Sequence, residues 1–427
     1  MIAFMQKLRG NVDSTRINFP KVALYLSPLL VVYLTVVIVL STNTFQGDEK
    51  GYLEYSQRLL SGLYFSNPLD IRLWWGPGYP IILTPFIFLK SPLIIIKIMN
   101  SFFLFGGLLY LFLTLRFFIQ PFGALLITFL AGLYLPFLSK LWFIYSETFV
   151  VFLACGLIYY YSSFIRQKSF SNKKLLMASL FFGFLALTKV FYGFVIAACI
   201  GVSGIIYLFY KSEEKRRTFL VCVIALAWCL PYLFGTYILT GKIFYWGTSG
   251  GLSLYWMSSP YSQEMGDWFQ PSDVFSNPEL QKNHGDLFEK ITSLNELQMD
   301  RALKQKAVEN IIRYPGKFFM NWIANLSRLV FSFPFSYAGQ RLVILLYIIP
   351  NSILVTLLLL SALPALVNWK VVPYEIKALF MFTIIVIFGT SLLSAYARFF
   401  IPIVPFYIVW ITYIYFNFLK IQLLIRT

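Results

Sequence analysis

VALYLSPLLVVYLTVVIVLSTNTFQGDE, residues 22–49, is the stretch from which the fold is read. Val22 to Leu40 hold no charged side chain, and the run is long enough to cross a hydrocarbon core about 30 Å thick. Asp48 and Glu49 follow just past its end, outside the first crossing. The chain is 59% hydrophobic and only 12% charged, so ionisable groups near the bilayer surface are scarce, and an acidic pair held there reads as a functional site.

Outward from this stretch the pattern repeats. The 427 residues have a mean hydropathy of +0.72. Successive apolar runs of about 20 residues predict an all-α polytopic membrane protein with about ten transmembrane helices. Phe, Tyr and Trp make up 19% of the chain and cluster where apolar runs end, as an aromatic belt does. A net charge of +17 would suggest nucleic acid in a soluble protein, but here the basic residues fall in short connections between helices and act as topology signals. Cys155, Cys199, Cys222 and Cys229 lie within apolar runs, so neither a disulfide framework nor a cysteine metal site is expected. His284, the single histidine, cannot build a histidine cluster and reads as a loop residue.

Lys7, Arg9, Arg16 and Lys21 precede the first run, which puts the N-terminus in the cytoplasm and Asp48 outside. Between Glu49 and Leu63, Tyr52, Tyr55, Leu59, Leu60 and Leu63 recur at helical spacing and predict an interfacial amphipathic helix. The prolines and glycines of Trp74-Trp75-Gly76-Pro77-Gly78-Tyr79-Pro80 break regular helix, and Ile81 to Leu89 is too brief to span, so it predicts a second interfacial element. Leu93 to Leu115 crosses inward and Phe122 to Phe143 returns, bringing Glu147 to the face of Asp48. Thr148 to Ile165 goes in, and Leu175 to Tyr210 reads as a hairpin with Lys189 at its outer end. Phe219 to Leu239 leads out to a polar stretch, Thr240 to Gln340, with a helix over Asn295 to Arg313 and an aromatic segment, Phe318 to Phe335, along the membrane. Spans over Leu342 to Val367, Ile376 to Leu393 and Phe399 to Leu419 follow, and Lys420 and Arg426 keep the C-terminus in the cytoplasm. The chain thus divides into a transmembrane module at 1–239 with a first outer loop at 41–92, a small extracytoplasmic region at 240–340, and C-terminal transmembrane helices at 341–427. Short cytoplasmic loops suggest a plasma membrane.

On this topology all 18 acidic residues lie outside except Asp13, Glu213, Glu214 and Glu375. A transporter keeps acids near the midplane of its spans and builds its site from interrupted helices in corresponding halves, and neither pattern is evident. An enzyme at the outer interface fits better, because a carboxylate at bilayer depth has the raised basicity suited to deprotonating a hydroxyl acceptor. The cytoplasmic loops are short and carry no strand followed by a Gly-rich phosphate turn, so any activated donor arrives in the membrane.

Gly47-Asp48-Glu49 after the first span, the amphipathic helix ending in Leu59-Leu60-Ser61-Gly62, and Gly76-Pro77-Gly78-Tyr79-Pro80 before a short apolar stretch resemble the GT-C glycosyltransferases. The branch with the protein O-mannosyltransferases and the lipid A aminoarabinose transferase is the most similar. Ser146-Glu147 opening a span, Ala186-Leu187-Thr188-Lys189 in a hairpin, and Tyr396-Ala397-Arg398 ahead of Pro402 and Pro405 look similar to further landmarks of that family. The likeness covers residues 22–240 and, beyond them, the patch around Arg398.

The resemblance implies a GT-C fold with interfacial helices in the first outer loop. It implies inverting transfer of a hexosyl or pentosyl sugar from a polyprenyl-phosphate carrier to a lipid, glycan or protein acceptor on the outer face. Asp48 would be the general base on the acceptor hydroxyl, and Glu49 would share that role or hold the acceptor. Glu147 matches a second acid that binds metal in some members and orients substrate in others. This branch generally works without a metal or other cofactor, so none is expected. The leaving lipid phosphate keeps its charge and needs fixed cations. Arg58, Arg72, Lys189 and Arg398 are the candidates, the last two first because they interrupt apolar context. Snorkelling to headgroups is the plain alternative for each, as helix N-capping is for Asp48. Tyr52, Trp74, Trp75 and Tyr79 either stack on a sugar and line the carrier's groove or form an ordinary aromatic belt. Tyr255, Trp256, Tyr261, Trp268 and Phe269 either cover the acceptor side or pin the polar stretch to lipid. The sequon Asn325-Leu326-Ser327, in a helix at the membrane, carries no meaning. A transporter or flippase of lipid-linked sugars, and a ligase or polymerase of whole glycans, are the alternative readings.

Overall fold

In lipid a chain must satisfy its own backbone hydrogen bonds, so each charge-free run becomes a helix. The computed structural model describes residues 19–62, 71–339 and 342–419. Lys7, Arg9, Asp13, Arg16, Leu63, Gln340, Lys420 and Arg426, which entered the sequence reading, lie outside the described residues. Helix α1 (Phe19–Leu40) leads to two short helices, α2 (Glu49–Leu60) and α3 (Gly78–Phe88), and then to α4 (Leu93–Leu115). Next come α5 (Pro121–Gly132), the single turn α6 (Leu135–Leu138), α7 (Glu147–Arg166), α8 (Asn172–Thr188), α9 (Phe191–Tyr210) and α10 (Glu213–Thr240). The polar stretch folds into α11 (Gly250–Met257), α12 (Pro271–Ser276), α13 (Pro278–Ile291), α14 (Glu296–Arg313) and α15 (Pro315–Phe331). Helices α16 (Leu345–Val367), α17 (Tyr374–Ser391) and α18 (Val404–Phe418) follow, and no strand occurs among the described residues.

Eight helical segments, Pro20–Leu40, Leu93–Leu115, Glu147–Arg166, Phe191–Tyr210, Glu213–Thr240, Leu342–Val367, Tyr374–Ser391 and Ala397–Phe418, are long and apolar enough to cross a membrane. The protein is therefore an integral, multi-pass membrane protein. The two other expected crossings are shorter. Helix α8, the first arm of the hairpin, has 17 residues, with Lys189 in the turn that follows it. Phe122 to Phe143 is not one helix: α5 has 12 residues, about 18 Å, and beyond α6 the chain runs on irregularly to Ser146.

The break has a local cause. A Cβ on Gly132 would stand 2.5 Å from Leu29 and 2.7 Å from the Tyr33 hydroxyl, which itself donates to the Gly132 carbonyl at 2.7 Å. Pro136 then has no N–H with which to continue a helix. Irregular backbone at membrane depth persists only where protein groups satisfy it. Here the Asn100 amide of α4 donates to the Leu141 and Phe143 carbonyls at 3.0 and 2.6 Å, and the Glu49 carboxylate accepts from the Ile144 N–H at 2.7 Å.

Helix α7 is the axis of the bundle, buried along most of its 20 residues and about 30 Å long. Small residues let its neighbours close in: a Cβ on Gly156 would stand 2.2 Å from the Phe181 ring of α8. Helix α16, by contrast, turns Leu359, Leu363 and Leu366 outward. The first loop is seated on the hairpin turn by main-chain contact. A Cβ on Gly76 would stand 2.0 Å from the Leu187 carbonyl oxygen, and one on Gly78 would stand 2.7 Å from the Thr188 nitrogen.

The polar stretch has a buried cluster of its own around Tyr255, Trp256, Phe288 and Leu303. His284, expected in a loop, instead lies inside α13 and is buried. It falls midway between Leu280 and Phe288 at four-residue spacing, so it shares their inward face. Its Nδ1 meets the Tyr255 hydroxyl at 2.6 Å, and its Nε2 lies 2.9 and 3.0 Å from the two Glu264 oxygens. Asn325, of the sequon, is buried, donating its amide to the Ser391 and Leu393 carbonyls at 2.6 Å.

Replacing Gly76 by alanine sets a methyl group against the Leu187 carbonyl and should cost about 1–3 kcal/mol or more. Thermal unfolding in detergent measures this, and Gly201→Ala, with open space around it, should leave the midpoint almost unchanged. A second expectation concerns acid. Burial pushes the Glu264 carboxyl up, but the His284 contact and the Ser259 and Asn283 hydrogen bonds outweigh it and hold it below its ordinary 4.5. A depressed folded value stabilises fully above the unfolded value and is lost as pH falls through the folded one. Protection of α13 amides, relative to the exchange of the unfolded chain at the same pH, should therefore fall below about pH 4.5, and Glu264→Gln should flatten that dependence.

Candidate active site

Four charged side chains from four separate parts of the chain meet where α7 begins. Asp48 precedes α2, Glu147 opens α7, Lys189 occupies the α8–α9 turn, and Arg398 lies in a 3₁₀ turn, Ala397–Phe399, ahead of α18. The Arg398 guanidinium pairs with the Asp48 carboxylate through Nη1 and places Nε 3.9 Å from Glu147 Oε1. Lys189 Nζ stands 2.9 Å from the same Glu147 oxygen. Signs alternate along the series Asp48, Arg398, Glu147, Lys189. Its Asp48–Arg398 end is partly open and its Glu147–Lys189 end is closed, with Glu147 only 1% exposed. Charges this deep are worth holding only in pairs.

The local sequence sets each position. Gly47, at φ +52°, turns the chain ahead of Asp48 where a Cβ would collide with the Tyr145 hydroxyl at 2.3 Å. Asp48 stands at the N-cap of α2, yet its side chain makes no capping bond, because its carboxylate is given to Arg398. The Tyr52 hydroxyl and Ser146 Oγ lie 3.0 Å apart, joining α2 to the residue before Glu147. Burial raises the Tyr52 phenol well above its usual range, so it stays protonated. Rings sheathe the cations: Arg398 lies 5.5 Å from the centroids of Tyr396 and Phe399 and 5.9 Å from that of Tyr145, and Lys189 is 5.7 Å from Phe399. Glu147 Oε2 is buried with no hydrogen-bond partner, as is the Tyr79 hydroxyl.

Other residues singled out from the sequence stand elsewhere. Glu49 faces away from Asp48: its oxygens take the N–H groups of Gln46 and Ile144, both at 2.7 Å, and Lys97 Nζ is 3.9 Å away. Adjacent positions at a helix start point about 100° apart, so one of the two acids faces the cluster and the other the bundle. Arg58 pairs with Glu54 at 2.6 Å and lies over the Tyr55 ring. Arg72 pairs with Glu296 at 3.1 Å, and the Trp74 indole donates to the same carboxylate at 3.2 Å, so both tie the first loop to α14. Trp75 wedges against Tyr52 and Tyr55, and Tyr79 meets Tyr52 edge-on at 5.0 Å. Of the aromatics in the polar stretch, Trp268 stands beside the first loop and the approach to Arg398, 6.2 Å from Trp74 and 6.4 Å from Tyr396 between ring centroids. Tyr255, Trp256 and Phe269 pack in or against the stretch's own core, and the Tyr261 hydroxyl donates to the Asn283 carbonyl at 2.5 Å. Lys140, which borders a narrow void with Glu147, was missed because it falls inside an apolar run; a lone cation shortly before Glu147 was the signal available.

Among the described residues no three His, Cys, Asp or Glu side chains gather as metal ligands. Asp48 and Glu147 each already face a cation, a donor set that fits a divalent ion poorly.

The helical bundle with its two short helices after the first span has the GT-C fold. Among solved structures, the archaeal oligosaccharyltransferase AglB from Archaeoglobus fulgidus, in complex with an inhibitory peptide and a dolichol-phosphate, superposes with a TM-score of 0.50 at 14% identity, over 91% of this chain and 50% of that one. The same organism's oligosaccharyltransferase in complex with Zn and sulfate gives 0.51 at 12% identity, over 92% and 49%. ArnT from Cupriavidus metallidurans, bound to undecaprenyl phosphate, gives 0.40 at 13% identity, over 92% and 78%. The chain thus spans about half the length of the oligosaccharyltransferase it matches. No family model matches the chain, and no curated protein does.

Because Glu49 and Lys97 are both buried, removing one partner should destabilise more than removing both. Glu49→Gln is expected to cost about 3–5 kcal/mol and Lys97→Met added to it to restore part of that. Unfolding midpoints of the two single variants and the double variant test the coupling.

Proposed function

We propose that this protein is an inverting glycosyltransferase, moving a sugar from a polyprenyl-phosphate carrier to a hydroxyl of a lipid, glycan or protein acceptor at the extracytoplasmic face of a plasma membrane. The observation that supports this most is one guanidinium, Arg398, paired with Asp48 and within 3.9 Å of Glu147 at a partly open bundle end. The GT-C fold adds to it, as does the phosphorylated isoprenoid that one structure with that fold holds.

On this reading the acceptor oxygen attacks the anomeric carbon on the face opposite the phosphate while its proton passes to Asp48. The bond from that carbon to the phosphate oxygen breaks, and the carrier phosphate leaves with both electrons. Lys189 and Arg398 meet the charge that collects on it, a fixed electrostatic contribution that costs no reorganisation during the step. The donor phosphate and Asp48 also compete for one guanidinium. Donor arrival draws Arg398 away and leaves the Asp48 carboxylate free to take a proton, so the donor binds before the acceptor is activated. Glu147 holds Lys189 and Arg398 in register, and Glu49 keeps the chain leading to Glu147 in place. The transferred sugar is a hexose or pentose, and the cations that stabilise departure are side chains rather than a metal ion.

Asp48→Asn keeps the shape and removes the base. Glycan transfer in cells carrying the variant should fall about 10²–10⁴-fold, while the purified variant should still bind undecaprenyl phosphate. Retained transfer, or retained movement of lipid-linked sugar with no transfer in the native protein, would refute the assignment.

A further inference from the structure

Lys140 borders the cluster without an ion pair of its own among the described residues; its neighbouring acid, Glu147, is already shared by Lys189 and Arg398. Its ammonium makes no hydrogen bond and no ion pair with any described residue, and it rests 5.9 Å from the ring centroids of both Tyr145 and Tyr347. Arg398 lies at 5.9 Å from the same Tyr145 ring, so two cations share one aromatic neighbour. Lys140 also lines, with Glu147, Thr148 and Ile401, the narrow void onto which α7 opens. In that neighbourhood Glu147 Oε2 is buried and unpartnered. A carboxylate oxygen only accepts, so this one calls for a donor such as a nearby ammonium, not for an anion.

Charge gives the missing partner its sign. Asp48 and Glu147 carry two negative charges, and Lys140, Lys189 and Arg398 carry three positive ones. A sugar joined to a lipid through a phosphodiester brings one negative charge and makes the sum zero. After transfer Asp48 holds the acceptor proton, and the departing lipid phosphate, now a monoester, carries about −1.5 to −2 charge. The sum again falls close to zero. Without Lys140 the first state holds one excess negative charge and the second about half to one, in a region of low dielectric where unbalanced charge is costly.

We propose that Lys140 is a phosphate-binding residue, gripping the phosphate of the isoprenoid carrier together with Arg398. This rests on the reading of the protein as a polyprenyl-phosphate-dependent transferase. A lysine suits the place, since its ammonium is a compact point charge on a flexible stem that can leave two rings to meet an arriving anion.

The test measures the affinity of the purified full chain in detergent for undecaprenyl phosphate and for undecaprenol, which lacks the phosphate. The native protein should prefer the phosphate. Lys140→Met should weaken undecaprenyl phosphate binding at least about tenfold, leave undecaprenol binding unchanged, and keep the native unfolding midpoint. Lys140→Arg should restore most of the preference. If Lys140→Met does not fold, Lys140→Gln serves in its place. A native preference for the phosphate that survives intact in Lys140→Met overturns the role of Lys140 and leaves the transferase reading standing. No preference in the native protein overturns both.

Discussion

The ion pairs joining Asp48, Arg398, Glu147 and Lys189 are the constraint around which the molecule is arranged. Isolated charge in low dielectric costs several kcal/mol, and each of these groups is tolerable only beside the next. Their positions in the chain are far apart, so meeting requires the start of α7, the α8–α9 turn, the approach to α18 and the end of the first loop to converge. The fold at this end is thus a solution to an electrostatic problem. The opposite end of α7 carries its own pairing, Arg166 with Glu375 at 2.9 Å.

A second layer keeps the first in place. The segment between α6 and α7 is irregular, and its peptide groups are answered by Asn100 and Glu49 rather than by helix neighbours. Asn100 reaches further still, accepting from the Thr148 hydroxyl at 2.8 Å. The same amide side chain therefore touches the chain on both sides of Glu147. Helix α4, which carries Asn100 and Lys97, contributes to the charged cluster without placing any residue in it.

What could be read from the sequence follows from cost. Charge inside an apolar run is expensive, which made Glu147, Lys189 and Arg398 visible one by one, and the long runs themselves gave the helices. Direction was harder to read. Asp48 and Glu49 are neighbours with the same chemistry, and only the start of α2 separates them, one toward Arg398 and one toward Ile144. Gly132, Tyr134 and Pro136 punctuate Phe122 to Phe143 plainly, but total hydrophobicity outweighed them and hid the break. His284 looked isolated in a polar stretch because its partner, Glu264, is 20 residues away; the apolar spacing of Leu280 and Phe288 around it was the clue. Arg58 and Arg72 carry the right charge, and their partners Glu54 and Glu296 occupy it elsewhere.

The seat of Gly76 and Gly78 on Leu187 and Thr188 sets the turn that ends at Lys189. A join made by peptide unit against peptide unit has no rotamer to relax and no side chain to swap. It acts as a fixed spacer, whose length is that of covalent geometry alone. Substitutions can accumulate across the lipid-facing helices while the ammonium keeps its place, and a single added methyl at the spacer would move it.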